Sequence, residues 1–436
     1  MAHSAHSGNV RSAFIILLYL LIQNMYCFAE ESSNRLFRIA QVKYSIEGKT
    51  KISALEKDLS WDLDRIFSSV YQLDAYLQKQ RQQLINKKVF KSVLTNYHVV
   101  NSEGLILDIE VIVDLEDSWT MIPLPIYTYD NNLGLIMGLG MDYKNVGGTL
   151  SDFDFSSYYS DTKSEITGNW TDFRIGSHLY DFRFNQLWET VKSTDSNGNI
   201  DLEYSYIQSE IRMSIEIPII PWLNYSARPI LRWPYSYSFM TNTTGESNSS
   251  FSRSGLNPAY NHIIEWDRVN WIGSLRQGIN ASIENELEYS TQNNQVILWL
   301  DGNFKTYIYT PIISYNLRVS SFYYYNDFKI NAADRLRGVL DYKLSGEYGF
   351  FLNQNFPFNV VSMDKIGDLQ LSPFIDIGYV GELAQDFTKK DIQYTTGLSI
   401  IVFPALLPSI SLNIDTGINL QDTSETEISI SSTLYF

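Results

Sequence analysis

One cysteine, five histidines and no run of basic residues occur among 436 residues. A formal charge of -16 argues against a nucleic-acid role, because phosphate binding needs basic patches. No block of like charge reads as a tail or a polybasic anchor. Apolar residues make up 44% of the chain but are interleaved with polar ones, so no segment approaches the roughly twenty-residue run of a transmembrane helix. His98, His178 and His262 are scattered without metal-ligand spacing, and no Gly-x-Ser-x-Gly nucleophile elbow is present. The chain is therefore not expected to be an enzyme, and no metal or cofactor is expected.

What the chain has is aromatic side chains, 14% of the total with 30 Tyr and 9 Trp. That usage fits a sheet-rich protein with aromatic belts at two interfaces. The first 29 residues read as a secretory signal peptide: Arg11, an apolar run from Ala13 to Ile22, then Cys27-Phe28-Ala29 before the cleavage point. Cleavage there removes the only cysteine, leaving no disulfide and no thiol chemistry. A lipoprotein signal at Cys27 is the rival reading, disfavoured by Asn24 and the bulky Tyr26.

Two unlike regions follow. Across 37–117 the order is strand ("FRIAQVKYSIEG"), helix, helix, strand, strand, with Leu73, Tyr76, Leu77, Leu84 and Ile85 spaced to share one helical face. From 118 to 436 the helical period vanishes, and long alternating strands are cut by turn clusters. In "QVILWLDGNFKTYIY", Val296, Leu298, Leu300, Phe304 and Ile308 oppose Asp301, Asn303 and Lys305. In "SISLNIDTGIN", Ile410, Leu412, Ile414 and Ile418 oppose Ser411, Asn413, Asp415 and Asn419. The chain ends on "TEISISSTLYF", with Ile428, Ile430, Leu434 and Phe436 on one face. About sixteen such strands can be marked, with short connections alternating with long polar ones. This predicts an all-β transmembrane barrel of antiparallel strands, its apolar face toward lipid.

The whole mature chain resembles the outer-membrane assembly and secretion barrels of the bacterial surface antigen family, in which periplasmic POTRA domains precede a sixteen-stranded barrel. Residues 37–117 are similar to one such α+β POTRA domain. "RLRGV" resembles the loop that folds back into the lumen in that family, with an arginine-glycine pair at its tip, here Arg337 and Gly338. "PFIDIGYV" resembles the family's Phe-x-Asp-x-Gly strand, here Phe374, Asp376 and Gly378, which receives that arginine. Phe436 matches the aromatic ending that serves as an assembly signal. The chain departs from the family in having Val339 where an aromatic usually follows the pair.

The resemblance implies a protein that inserts, assembles or translocates polypeptides at the bacterial outer membrane. Its implied partners are the lipid bilayer, unfolded outer-membrane or secreted polypeptides, and accessory lipoproteins. A passive channel or surface protein is the alternative, and a dedicated two-partner-type secretion pore lies between. The residues alone leave Arg335 as a second candidate for Asp376, and Glu284 and Glu286 as ordinary lumen carboxylates. Gly134, Gly138 and Gly140 either weaken a strand beside a lateral opening or make room for the loop.

Overall fold

The computed structural model describes residues 35–130, 134–176, 178–194, 200–245, 247–248, 252–326, 330–331, 335–339, 344–363, 366–382, 392–405, 410–423 and 426–434. The predicted signal peptide, Cys27 and Phe436 lie outside the described residues. The chain forms two compact units. The first holds residues up to Ser45 together with Leu59–Gln83 and Val93–Leu115, and the second Ile46–Asp58, Leu84–Ser92 and Glu116–Phe436.

The N-terminal elements run β1 (Leu36–Glu47), α1 (Ile52–Asp58), β2 (Ile66–Phe67), α2 (Val70–Asn86), β3 (Phe90–Glu103) and β4 (Ile106–Asp117). They build a four-stranded sheet in the order β2-β1-β4-β3. The expected order is present with one addition, the two-residue β2, which pairs Phe37 with Phe67. Two residues are too few to show alternation, and Phe67 is drawn into the sheet because its ring is wholly buried. On α2, Leu73, Leu77 and Leu84 are buried at helical spacing, and Gln80 shares that buried face. Arg38 holds Asp108 through Nε at 2.8 Å and Nη2 at 3.1 Å, joining β1 to β4.

The large sheet begins with β5 (Met121–Asp130), β6 (Gly134–Tyr143), β7 (Asp152–Tyr159), β8 (Lys163–Ile175), β9 (His178–Thr194) and β10 (Ile200–Ile220). Next come β11 (Leu223–Asn242), β12 (Asn257–Asp267), β13 (Asn270–Ile272), β14 (Leu275–Ser290), β15 (Gln295–Ile308) and β16 (Tyr315–Tyr325). A small ribbon of β17 (Ile330–Asn331) and β18 (Ser345–Gly346) follows. The last strands are β19 (Tyr348–Asn355), β20 (Phe358–Met363), β21 (Gly367–Gly381), β22 (Gln393–Pro404), β23 (Ile410–Asn419) and β24 (Thr426–Leu434).

Apart from the ribbon, these strands close into one antiparallel barrel in which β24 returns to β5. Both β12 and β13 pair with β14, and both β19 and β20 pair with β21, so each of these couples is one interrupted stave. The second interruption falls at Phe356-Pro357, where the proline has no N–H for a ladder.

The faces are inverted relative to a water-soluble sheet. On β15, Val296, Leu300, Phe304 and Ile308 are exposed on the outside, while Asp301 is buried. On β23, Leu412, Ile414 and Ile418 are exposed, and Ser411 and Asn419 are buried. Ile428 and Ile430 of β24 likewise face outward and are exposed. The interior carries the charges: Arg232 of β11 reaches Glu210 at 2.7 Å, Glu288 at 2.5 Å and also Glu286. Burial without such partners would cost on the order of several kcal/mol per charge. Glu284 bonds Asn261 at 2.7 Å, so both carboxylates singled out in the sequence belong to this interior network.

Candidate functional site

Between β16 and β19, the described residues 335–339 lie inside the barrel. Their neck is the β17–β18 ribbon, which pairs Ile330 with Gly346 and Asn331 with Ser345. Beyond the neck, Arg335 to Val339 lie against the inner wall. Strand alternation on β21 turns Phe374, Asp376 and Gly378 inward together, and all three are buried.

Arg337 donates from Nε to Asp376 Oδ2 and from Nη2 to Asp376 Oδ1, both at 2.8 Å. This is the bidentate, charge-assisted geometry in which a planar guanidinium matches a carboxylate. Asp376 has no exposed surface, and the guanidinium sits 3.6 Å from the Phe374 ring centroid. Phe374 thus supplies a cation–π face while Asp376 supplies charge. Arg337 Nη1 lies 3.5 Å from Ser399 Oγ on β22, and that hydroxyl donates to Asp415 on β23.

Glycines let the backbone come this close. Gly338 has φ +88°, a left-handed conformation that side chains resist, and a Cβ there would lie 2.9 Å from Ile418 N. A Cβ on Gly417 would lie 2.9 Å from Gly338 Cα, so two glycines meet face to face. A Cβ on Gly378 would reach Phe351 at 2.9 Å and Leu336 at 3.0 Å. Gly138, by contrast, is crowded by Ser157 and Tyr158 of β7, not by the infolded tip.

Neighbouring residues complete the seat. Arg335 binds Asp301 of β15, Nη2 to Oδ2 at 2.5 Å, and stacks over Phe322 of β16. It is therefore not the partner of Asp376. Val339 is buried in a cluster with Phe322, Leu336, Leu344 and Phe351. The backbone N–H of Gly338 donates to the Glu427 carboxylate on β24. The tip consequently touches β15, β16, β19, β21, β22, β23 and β24.

In the sequence Glu427 and Asp301 each read as one polar residue of an alternating strand, and nothing local marks either as a partner of the tip. The signal available was that charges on the inward face of a barrel seldom stand without a partner.

Glu427 also lies beside the seam. Strand β24 forms nine registered pairs with β23, and β5 forms ten with β6. Between β24 and β5, among the described residues, one pair is registered: Ile430 with Tyr129.

Comparison with solved structures agrees with this architecture. CdiB from Acinetobacter baumannii superposes with a TM-score of 0.58 at 16% identity, over 92% of this chain and 74% of that one. BamA from Haemophilus ducreyi lacking POTRA domains 1–3 gives a TM-score of 0.54 at 13% identity, over 91% and 85%. CdiB from Escherichia coli gives 0.50 at 9% identity, over 99% and 100%. The chain has the BamA and CdiB fold. Identities this low carry the fold and not the activity. No family model and no curated protein sequence matches the chain.

Proposed function

We propose that this chain is an outer-membrane barrel that inserts, assembles or translocates polypeptides, without nucleotide and without enzymatic chemistry. The observation that carries the reading is the seam. Among the described residues, one registered pair joins β24 to β5 where the neighbouring ladders have nine and ten. A strand edge so weakly satisfied is a liability unless another strand is meant to pair there.

Among the described residues, eighteen strand segments, two of them continuations of a stave, support a reading of sixteen staves. Their exposed apolar outer face suits a bilayer. Residues 37–117 act as a single POTRA domain on the periplasmic side, offering client chains a sheet edge. Arg337 and Gly338 hold the infolded tip against Phe374, Asp376 and Gly378, and so support the barrel conformation in which the seam works. Accessory lipoproteins are compatible partners.

The test is depletion in the native cell with quantification of every other outer-membrane and secreted protein. A broad loss of barrels identifies a general assembly factor. Loss of one exported substrate identifies a dedicated translocator. No change in either fraction contradicts the proposal and favours a passive channel.

A further inference from the structure

The first barrel strand, "MIPLPIYTYD", carries Pro123 and Pro125 two residues apart. Alternate residues of a strand present their N–H and C=O to the same neighbour, so both prolines lack a donor toward one and the same side. That side is identified by the ladder with β6, which runs through both prolines without a break, pairing Pro123 with Met141 and Pro125 with Leu139. Proline nitrogens facing β6 would interrupt it. They face β24.

The seam edge of β5 is presented by Met121, Pro123, Pro125, Tyr127 and Tyr129, and two of these five have no N–H. The single registered pair falls at Tyr129, beyond the prolines. Continued along the antiparallel ladder, that register sets Tyr127 opposite Ser432 and Pro125 opposite Leu434. The opposing edge, Thr426 to Leu434, contains no proline and keeps every donor. Proline inside a sheet is confined to edges and bulges, and here it marks β5 as an edge although the barrel is closed.

We propose that Pro123 and Pro125 strip the β5 side of the seam of hydrogen-bond donors and leave β24 as the edge with the capacity to pair a strand. The chemical class recognised is an extended polypeptide segment, and its register is set by β24. This inference rests on the strand-accepting reading given above and names which edge does the accepting. The prolines set specificity without touching the client's side chains, because they act on the number of backbone bonds each edge can offer.

The test uses the full chain in phospholipid vesicles with Cys27→Ser, and compares it with Pro123→Val/Pro125→Val and with Pro125→Val alone. Amide hydrogen exchange of Thr426–Leu434 is read first. Restored donors should zip the seam and slow that exchange about tenfold in the double variant, with a smaller effect from Pro125→Val. Unchanged exchange in both overturns the proposal, since the prolines would then not face β24.

The second arm adds a synthetic ten-residue peptide of alternating valine and threonine with one central cysteine. Disulfide capture is compared at Ile430→Cys on β24 and Tyr129→Cys on β5, whose native side chains are both exposed. Capture should favour Ile430→Cys at least fivefold, and the double valine variant should bring the ratio near one. Equal or greater capture at Tyr129→Cys with the prolines present overturns the proposal. Slowed exchange with no capture at either position upholds the donor-poor edge and removes the strand-accepting reading on which the function rests.

Discussion

The backbone amide of Gly338 donates to the carboxylate of Glu427, eighty-nine residues further along the chain. Through that bond the infolded tip, anchored by Arg337 on β21, reaches the closing strand three residues before its registered contact with β5. Glu427→Ala is expected to free the Gly338 amide. A hydrogen bond to a charged acceptor is worth about 1.5 kcal/mol, roughly tenfold in a local opening equilibrium. Residue-resolved hydrogen exchange at Gly338 checks this. Glu427→Gln keeps an acceptor oxygen and should recover most of the protection.

Asp376→Asn removes the charge that Arg337 was folded to meet. Breaking one half of a buried pair costs about 3 kcal/mol, toward the low end because Arg337 keeps some solvent contact. The unfolding midpoint of the barrel in urea should fall accordingly. A double-mutant cycle with Arg337→Met should show strong coupling to Asp376→Asn, whereas Arg335→Met should couple to it more weakly, because Arg335 answers to Asp301.

Gly417→Ala places a methyl group 2.9 Å from Gly338 Cα. The infolded tip has to lift, and limited proteolysis between β16 and β19 should become faster. Gly168→Ala makes a control within the same barrel, since a Cβ there meets nothing within 4 Å.

Acid should loosen the small sheet. The Arg38 hydrogen bond holds the Asp108 carboxyl below the ordinary aspartate value. A pKa lowered by folding contributes stability above the unfolded value, and that contribution is lost as pH falls through the folded one. Hydrogen exchange of β1 and β4 should therefore be slower in the native chain than in Asp108→Asn at neutral pH. The two should converge at pH values below the depressed Asp108 pKa.

Much of the barrel was legible because period-two alternation survives wherever one face meets a uniform environment. Leu412, Ile414 and Ile418 follow it, as do Phe374, Asp376 and Gly378 on their inward face. The Arg337–Asp376 contact was legible only through a resemblance, since no local pattern joins residues on an infolded segment and a strand of the wall. Three features escaped. The two-residue β2 is too short for a period. Glu427 is one polar side chain among several. The prolines of β5 could have been read as an edge signature, but the neighbour they face emerges only once the β5–β6 ladder is seen.

The most direct measurement is a reversible tether across the seam, with Tyr129→Cys and Ile430→Cys in a Cys27→Ser background, expressed in the native cell. Their native residues are the registered pair, so oxidation should lock β24 to β5 while the Arg337–Asp376 seat is left alone. Loss of outer-membrane or exported proteins under oxidation, recovered on reduction, is the expected result. Undiminished assembly and export with the seam demonstrably locked would contradict a seam that opens to pass or pair client strands.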